Sequence, residues 1–287
     1  MLIDLHTHTN VSEGLDSPEE LIEHAIAAKL SVLAITDHDT VVGWQRLYNY
    51  SGNGALTIVP GAEISCRTTS GKTSGMSVHV LGYLFDPDDI QLREMMLLTQ
   101  DDRVPRMKKI IDLLNGAGIE IAFDDVLAHS GNAETVGRPH LADALIARGV
   151  VRSRDEAFAH YLHNESPFYV GHLAPSPEDA IAAIKSAGGV SILAHGLAGT
   201  RGAIYSLDEI AQLVECGLDG VEVDHRDHDQ QARAALRELA DSLHLFATGS
   251  SDYHGLSVGQ RLAMEVTDPQ VWEGILDQGN GCEVFTV

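Results

Sequence analysis

Seven short apolar runs, at residues 2–5, 31–36, 57–59, 78–85, 190–194, 220–223 and 243–248, recur along the chain with helical patterns between most of them. This alternation constrains the fold more than any other feature. Several of the runs are near-continuously apolar, which suits strands covered on both faces. Ser17-Pro18-Glu19-Glu20 is a capping box with proline at the first helical position, and residues 21–28 follow it. Ser176-Pro177-Glu178-Asp179 repeats the start signal ahead of 180–187, and Gly188-Gly189 stops that helix. Residues 207–216 and 229–242 read as two more helices. Repeating βα units predict a parallel sheet, either a barrel or a doubly wound sheet.

The rhythm breaks once. From about Asp88 to Phe168 the pattern is helical, and nine of the 19 basic residues lie between Asp88 and Val170. We read this as a small helical insert over 101–168, for packing or as a lid, with 1–100 and 169–287 forming the main α/β body. Tyr161, Phe168 and Tyr169 near its end suit either the insert's own core or a face for stacking a nucleobase.

Metal-competent side chains gather where the strands end. His6 and His8 are one residue apart, so in a strand they point to one face. Asp37-His38-Asp39 follows the second run, Glu63 the third, His79 lies in the fourth, His195 ends the fifth, Glu222 and His225 mark the sixth, and Asp252 and His254 follow the seventh. A single histidine of this kind is usually structural. A whole set on the face where barrel enzymes build their sites is different. Buried unpaired carboxylates are costly and need cations. Histidine and carboxylate without cysteine suit Zn²⁺, Mn²⁺ or Fe²⁺, and the number of donors implies two or three ions.

The segments "DLHTHT", "TDHDT", "GAEIS", "HVLGY", "LAHG", "GVEV" and "SDYHG", in this order, resemble the polymerase and histidinol phosphatase (PHP) family of metal-dependent phosphoesterases. The resemblance spans Leu2 to Gly255 apart from the insert, and is strongest to a stand-alone bacterial branch. It implies a distorted (β/α)7 TIM-like barrel with a trinuclear centre of Mn, Fe, Zn or Mg. One ion would take His6, His8, Glu63 and Asp252; a second Glu63, His79 and His195; a third Glu13, His38 and His254. The family usually has aspartate where this chain has Glu13. The implied chemistry is hydrolysis of a phosphate monoester by metal-activated hydroxide, with Glu63, His195 and Asp252 at its centre. The favoured substrate is a nucleoside 3′,5′-bisphosphate, giving the 5′-monophosphate. Trimming of short single-stranded RNA from its 5′ end and histidinol phosphatase activity are alternatives, and a non-catalytic metal-binding module is a fourth. Arg138, His140, His172, Arg201 and His225 are the candidate substrate contacts, the arginines through charge-assisted hydrogen bonds to phosphate.

The chain's 287 residues carry 42 acidic against 19 basic side chains, a net charge of −23. A field of that sign repels duplex nucleic acid, but not a small anion drawn to bound cations. No apolar run reaches the ~20 residues that span a bilayer, so no membrane partner is expected. Three scattered cysteines and no leader-like start suggest a reduced, cytoplasmic setting.

Overall fold

The structure is a computed structural model, and it describes residues 1–52, 54–69, 74–130, 136–164, 166–199, 204–256 and 260–287. All seven expected strands form, with shifted ends: β1 Ile3–Asp4, β2 Val32–Ile35, β3 Thr57–Arg67, β4 Ser77–Tyr83, β5 Val190–Ala194, β6 Gly220–Asp224 and β7 Phe246–Gly249. A short β8, Phe285–Thr286, pairs with the start of β3. The helices are α1 Pro18–Ala27, α2 Val42–Gln45, α3 Ile90–Gly116, α4 Phe123–Ser130, α5 Arg138–Ala147, α6 Arg154–Ala157, α7 Pro177–Ser186, α8 Leu207–Glu215, α9 Gln230–Leu243 and α10 Pro269–Gln278. Among the described residues, no helix is long and apolar enough to cross a membrane.

The strands lie in chain order from β1 to β7. The sheet curls until its ends nearly meet: His8 N–H donates to Tyr253 O at 2.9 Å, Ser251 N–H to Asp4 Oδ1 at 3.0 Å and Thr267 N–H to Ile3 O at 3.0 Å. The result is a distorted α/β barrel. The capping box at Ser17 forms as its sequence demands, with Glu20 N–H on Ser17 Oγ and Ser17 N–H on Glu20 Oε2.

Two expectations need correction. The sheet is not wholly parallel, because β4 runs antiparallel to both β3 and β5. Only residues 68–76 separate β3 from β4, too few for the dozen or more that a parallel crossover requires. The third strand also runs eight residues past its expected end at residue 59, to Arg67. Pro60-Gly61 reads as a stop, yet here it is a change of partners: β2 pairs only as far as Ile35↔Pro60, and from Gly61 the strand pairs with β4. A Cβ on Gly61 would stand 2.9 Å from Gly82 O, so the close approach of the two strands needs glycine.

Between β4 and β5 the chain is helical. α3 is 27 residues long and serves two cores. Its Leu92 and Met96 pack with Phe85 and Ile184 of the barrel side, while Met107, Ile110 and Leu114 pack with Val126, Leu141 and Leu145 of the following helices. The helix therefore runs unbroken through residue 101, the expected start of the insert. Tyr161 and Phe168 pack against the helical core, which favours that reading of them over base stacking.

Candidate metal centre

The reversed strand is what completes the rim. His79 lies near the start of β4 and pairs with Ala194 at the end of β5, so it faces the same end of the barrel as the residues that follow β1, β5 and β7. Glu63 stands beyond the last β2–β3 pair, bridged to His38. Its carboxylate is the hub. Oε2 is 3.0 Å from both His6 Nε2 and His8 Nε2 and 3.4 Å from His38 Nδ1; Oε1 is 2.6 Å from His79 Nδ1 and 3.1 Å from His195 Nε2. Asp252 Oδ1 lies 3.4 Å from His6 Nε2 and 3.3 Å from His8 Nε2.

Ligand-capable atoms converge within 4.8 Å of one another in three overlapping groups: His6, His8, Glu63 and Asp252; His38, Glu63 and His79; and His8, His38 and His254. His195 reaches the hub from the far side. Glu13 is near, with Oε2 3.8 Å from His38 Nε2, but stands outside all three groups.

This donor set fits divalent cations. His6 Nε2 and His8 Nε2 are 3.1 Å apart and both fully buried, and two like nitrogens facing two carboxylates have no good arrangement without a positive charge between them. His8 Nδ1 and His38 Nδ1 have no hydrogen-bond partner. Without a cation, protons take its place: burial disfavours a charged His8, yet Asp252 and Glu63 reverse this and raise it to about 9. Burial pushes His254 down to about 4, aided by the neighbouring His8. Imidazole and carboxylate donors with no thiolate match Mn²⁺, Fe²⁺ or Zn²⁺, and protons must leave as a cation enters.

Surrounding groups aim these donors. Glu222, buried in the middle of β6, accepts His6 Nδ1–H at 3.2 Å and His195 backbone N–H at 2.8 Å, and also bonds Ser250 Oγ. It thus turns Nε2 of His6 toward the hub, the usual work of a carboxylate behind a metal-binding histidine. His254 is turned the same way by donating Nδ1–H to Asp252 O at 2.9 Å. Of the Asp37-His38-Asp39 triplet only His38 joins the donors: Asp37 accepts from Thr9 and Ser12, and Asp39 from Ser65 and Arg103. Asp39, His195 and Asp252 have φ of 55°, 34° and 50°. Such backbone costs about 1–3 kcal/mol each and persists at functional sites where the surroundings enforce it.

The rim opens into a cavity of ≈ 1110 Å³, walled on its other side by the helical segment. Arg138 and His172 line it. His140 and His225 do not: His140 Nδ1 accepts the Gly137 N–H at the start of α5, and His225 is fully buried behind Asp252, with Nε2 3.4 Å from Oδ2. Both rings find partners within the protein, and the structure does not bring them to the cavity beside Arg138 and His172. Arg201 lies outside the described residues. Sequence reasoning missed Arg103 and Arg106, both nearly buried in the cavity wall. Their signal was weak: arginines on one long helix read as a solvated face.

A curled α/β barrel with clustered histidines and carboxylates at one rim defines a metal-dependent hydrolase, and the comparisons with known proteins say which kind. The PHP domain profile matches residues 4–128. A 3′,5′-nucleoside bisphosphate phosphatase of Chromobacterium violaceum is 31% identical over 261 residues, 90% of this chain and 89% of that protein. A 5′-3′ exoribonuclease of Haemophilus influenzae is 30% identical over 275 residues, 94% of this chain and 97% of that one. A crystal structure from Bifidobacterium adolescentis, described as a metal-dependent phosphoesterase, superposes with a TM-score of 0.89 at 35% identity, covering 97% of this chain and 96% of that one. The chain belongs to the PHP domain family and is a metal-dependent phosphoesterase.

Proposed function

We propose that the chain hydrolyses a phosphate monoester of a small nucleotide in the cytoplasm, with a nucleoside 3′,5′-bisphosphate as the favoured substrate. His6, His8, Glu63 and Asp252 would hold one of two or three divalent ions, Glu63, His79 and His195 a second, and His38 and His254 would face a third beside Glu13. Cations held there would supply Lewis acidity, bringing the pKa of a water to about 7 and offsetting charge that builds on phosphoryl oxygens. In the reaction, a water oxygen bonds to phosphorus as the P–O3′ bond breaks, and the ribose oxygen leaves with a proton.

One observation carries the two-phosphate reading. Across the cavity from the rim stand groups prepared for an anion. Arg106 is 8% exposed and its Nη2 has no partner; His172 is 7% exposed and neither ring nitrogen has one. Burial, with Arg138 close by, pushes Arg106 down to about 10, still charged at neutral pH. Burial, with Arg106 and Arg103 beside it, pushes His172 down to about 2, so it offers one N–H as a neutral ring. Buried donors left unpaired are costly, and a second phosphate would satisfy them. Arg138 is braced beside them by Leu162 O and Asn164 Oδ1. Phe158 adds an apolar face to the same wall.

The likeness to the Chromobacterium phosphatase supports this reading, and that to the Haemophilus exoribonuclease supports a second, 5′-to-3′ trimming of short RNA. The test is incubation with Mn²⁺ and, in parallel, adenosine 3′,5′-bisphosphate, a short 5′-phosphorylated RNA, a cyclic phosphodiester, histidinol phosphate and an aryl phosphate. The bisphosphate should turn over fastest, releasing phosphate and 5′-AMP. An inert bisphosphate beside a hydrolysed histidinol or cyclic phosphate would overturn the proposal, and faster mononucleotide release from RNA would favour the second reading.

A further inference from the structure

Glu13 lies beside the rim, and the structure shows where its side chain goes. Glu13 is buried on the turn after His8. Its Oε2 stops 3.8 Å from His38 Nε2, while Oε1 accepts from Arg103 Nη1 at 3.1 Å. The carboxylate thus stands off the rim and against the helical wall. Its Oε1 lies 1.5 Å from where a Cβ on Gly137 would stand, so only glycine there leaves it room.

Arg103 is equally fixed. Its Nη2 donates to Asp39 Oδ2 at 2.6 Å and to Ser65 Oγ at 3.1 Å. Burial opposes a charged Glu13, but His38 and Arg103 hold its carboxyl well below the usual carboxylate range. The pair is thus a buried, charge-assisted contact of the strong kind. It also cancels the charge of the carboxylate that lies 3.8 Å from His38 Nε2. Glu63, by contrast, presents both oxygens to imidazoles.

We propose that the Glu13–Arg103 pair makes the third cation position a weak one, with the guanidinium as its standing positive charge. A divalent ion arriving between His38 and His254 must break a buried hydrogen bond, face a like charge and rely on neutral imidazoles. Among the described residues, the ion-pair partners of Glu63 are imidazoles and no guanidinium. The resting enzyme therefore holds two ions firmly and a third only at higher free metal. Arg103 is a positioning residue that acts through Glu13. The inference rests on the metal centre of the proposed function.

Equilibrium dialysis against buffered free Mn²⁺, with ions per chain counted by elemental mass spectrometry, tests it on the intact protein. The wild type should fill in two stages, with the third ion entering at roughly 10–100-fold higher free Mn²⁺, the span that neighbouring groups exert on metal sites. Glu13→Asp keeps Arg103 and its contacts to Asp39 and Ser65, but draws the carboxylate back toward His38. It should move the third stage to lower Mn²⁺ by a similar factor and leave the earlier stage in place. Three ions entering the wild type in one stage, or a third stage that Glu13→Asp leaves unchanged or weakens, would overturn the proposal. A chain that retains no ion at all would instead remove the metal centre on which the proposed function stands.

Discussion

The two walls of the cavity are built by opposite means. The metal rim is assembled from strand ends whose spacing is set by hydrogen-bonded register, and its donors crowd until imidazole nitrogens lie 3.1 Å apart. The facing wall is assembled from helices, and its arginines hold their places by reaching across to backbone carbonyls and to single side chains of the barrel. One wall concentrates anionic and neutral donors, the other cations. On the proposed function, a phosphate ester would lie between them, with cations at the bond that breaks and fixed positive charge elsewhere.

Disrupting the rim should have the largest effect. Glu63→Ala removes the carboxylate shared by five imidazoles. Activity should fall by more than the ~10²–10³-fold that loss of one charge-stabilising group costs, and elemental analysis should show ions missing. An active Glu63→Ala protein would end the comparison. Removing the metal with chelator comes next. Ligation at 100 times the dissociation constant stabilises by about 2.7 kcal/mol, so the melting temperature should drop by roughly 5–10 °C for a chain of this size. Scanning calorimetry before and after readdition of Mn²⁺ reads this, and an unchanged transition would mean the donors were not holding ions. Glu222→Gln turns one acceptor beside His6 and His195 into a donor. It should lower metal affinity by about 10–100-fold while the circular dichroism spectrum keeps its shape. The other wall should respond differently. Arg106→Gln removes a charged hydrogen bond worth ~1.5 kcal/mol or more. KM for the bisphosphate should rise about tenfold, with an aryl monophosphate hydrolysed at its former rate and the metal content intact. An equal loss on both substrates would assign Arg106 to the rim rather than to the second phosphate.

The same contrast explains what could be read in advance. His6 and His8 were legible because a strand puts i and i+2 on one face, and Asp252 and His254 because they follow an apolar run directly. Glu63 was identified although its strand was cut short, since Pro60-Gly61 looks like an ending and is a change of neighbours. The direction of β4 left no periodic trace: a third run read as ending at residue 59 left a gap long enough for a crossover, and the short link of residues 68–76 emerged only with the structure. On the helical side, nothing in local pattern separates Arg106, which is buried, from Lys108, which is solvated. Likewise His140 and His225 look the same in sequence as His172, and only tertiary packing turns the first two inward and leaves the third facing the cavity.

Because β4 runs backwards, it delivers the chain to the floor of the barrel, and α3 must climb from there. At 1.5 Å per residue its 27 residues reach about 40 Å. It is a mast stepped at the base, with its working arms, Arg103 and Arg106, set about midway up the shaft. Losing or gaining one helical turn below them would shift both by about 5.4 Å, without altering a strand, a donor or the pitch of the wall opposite. On the proposed function, the gap between the metal rim and a second phosphate would therefore be a length written into one helix.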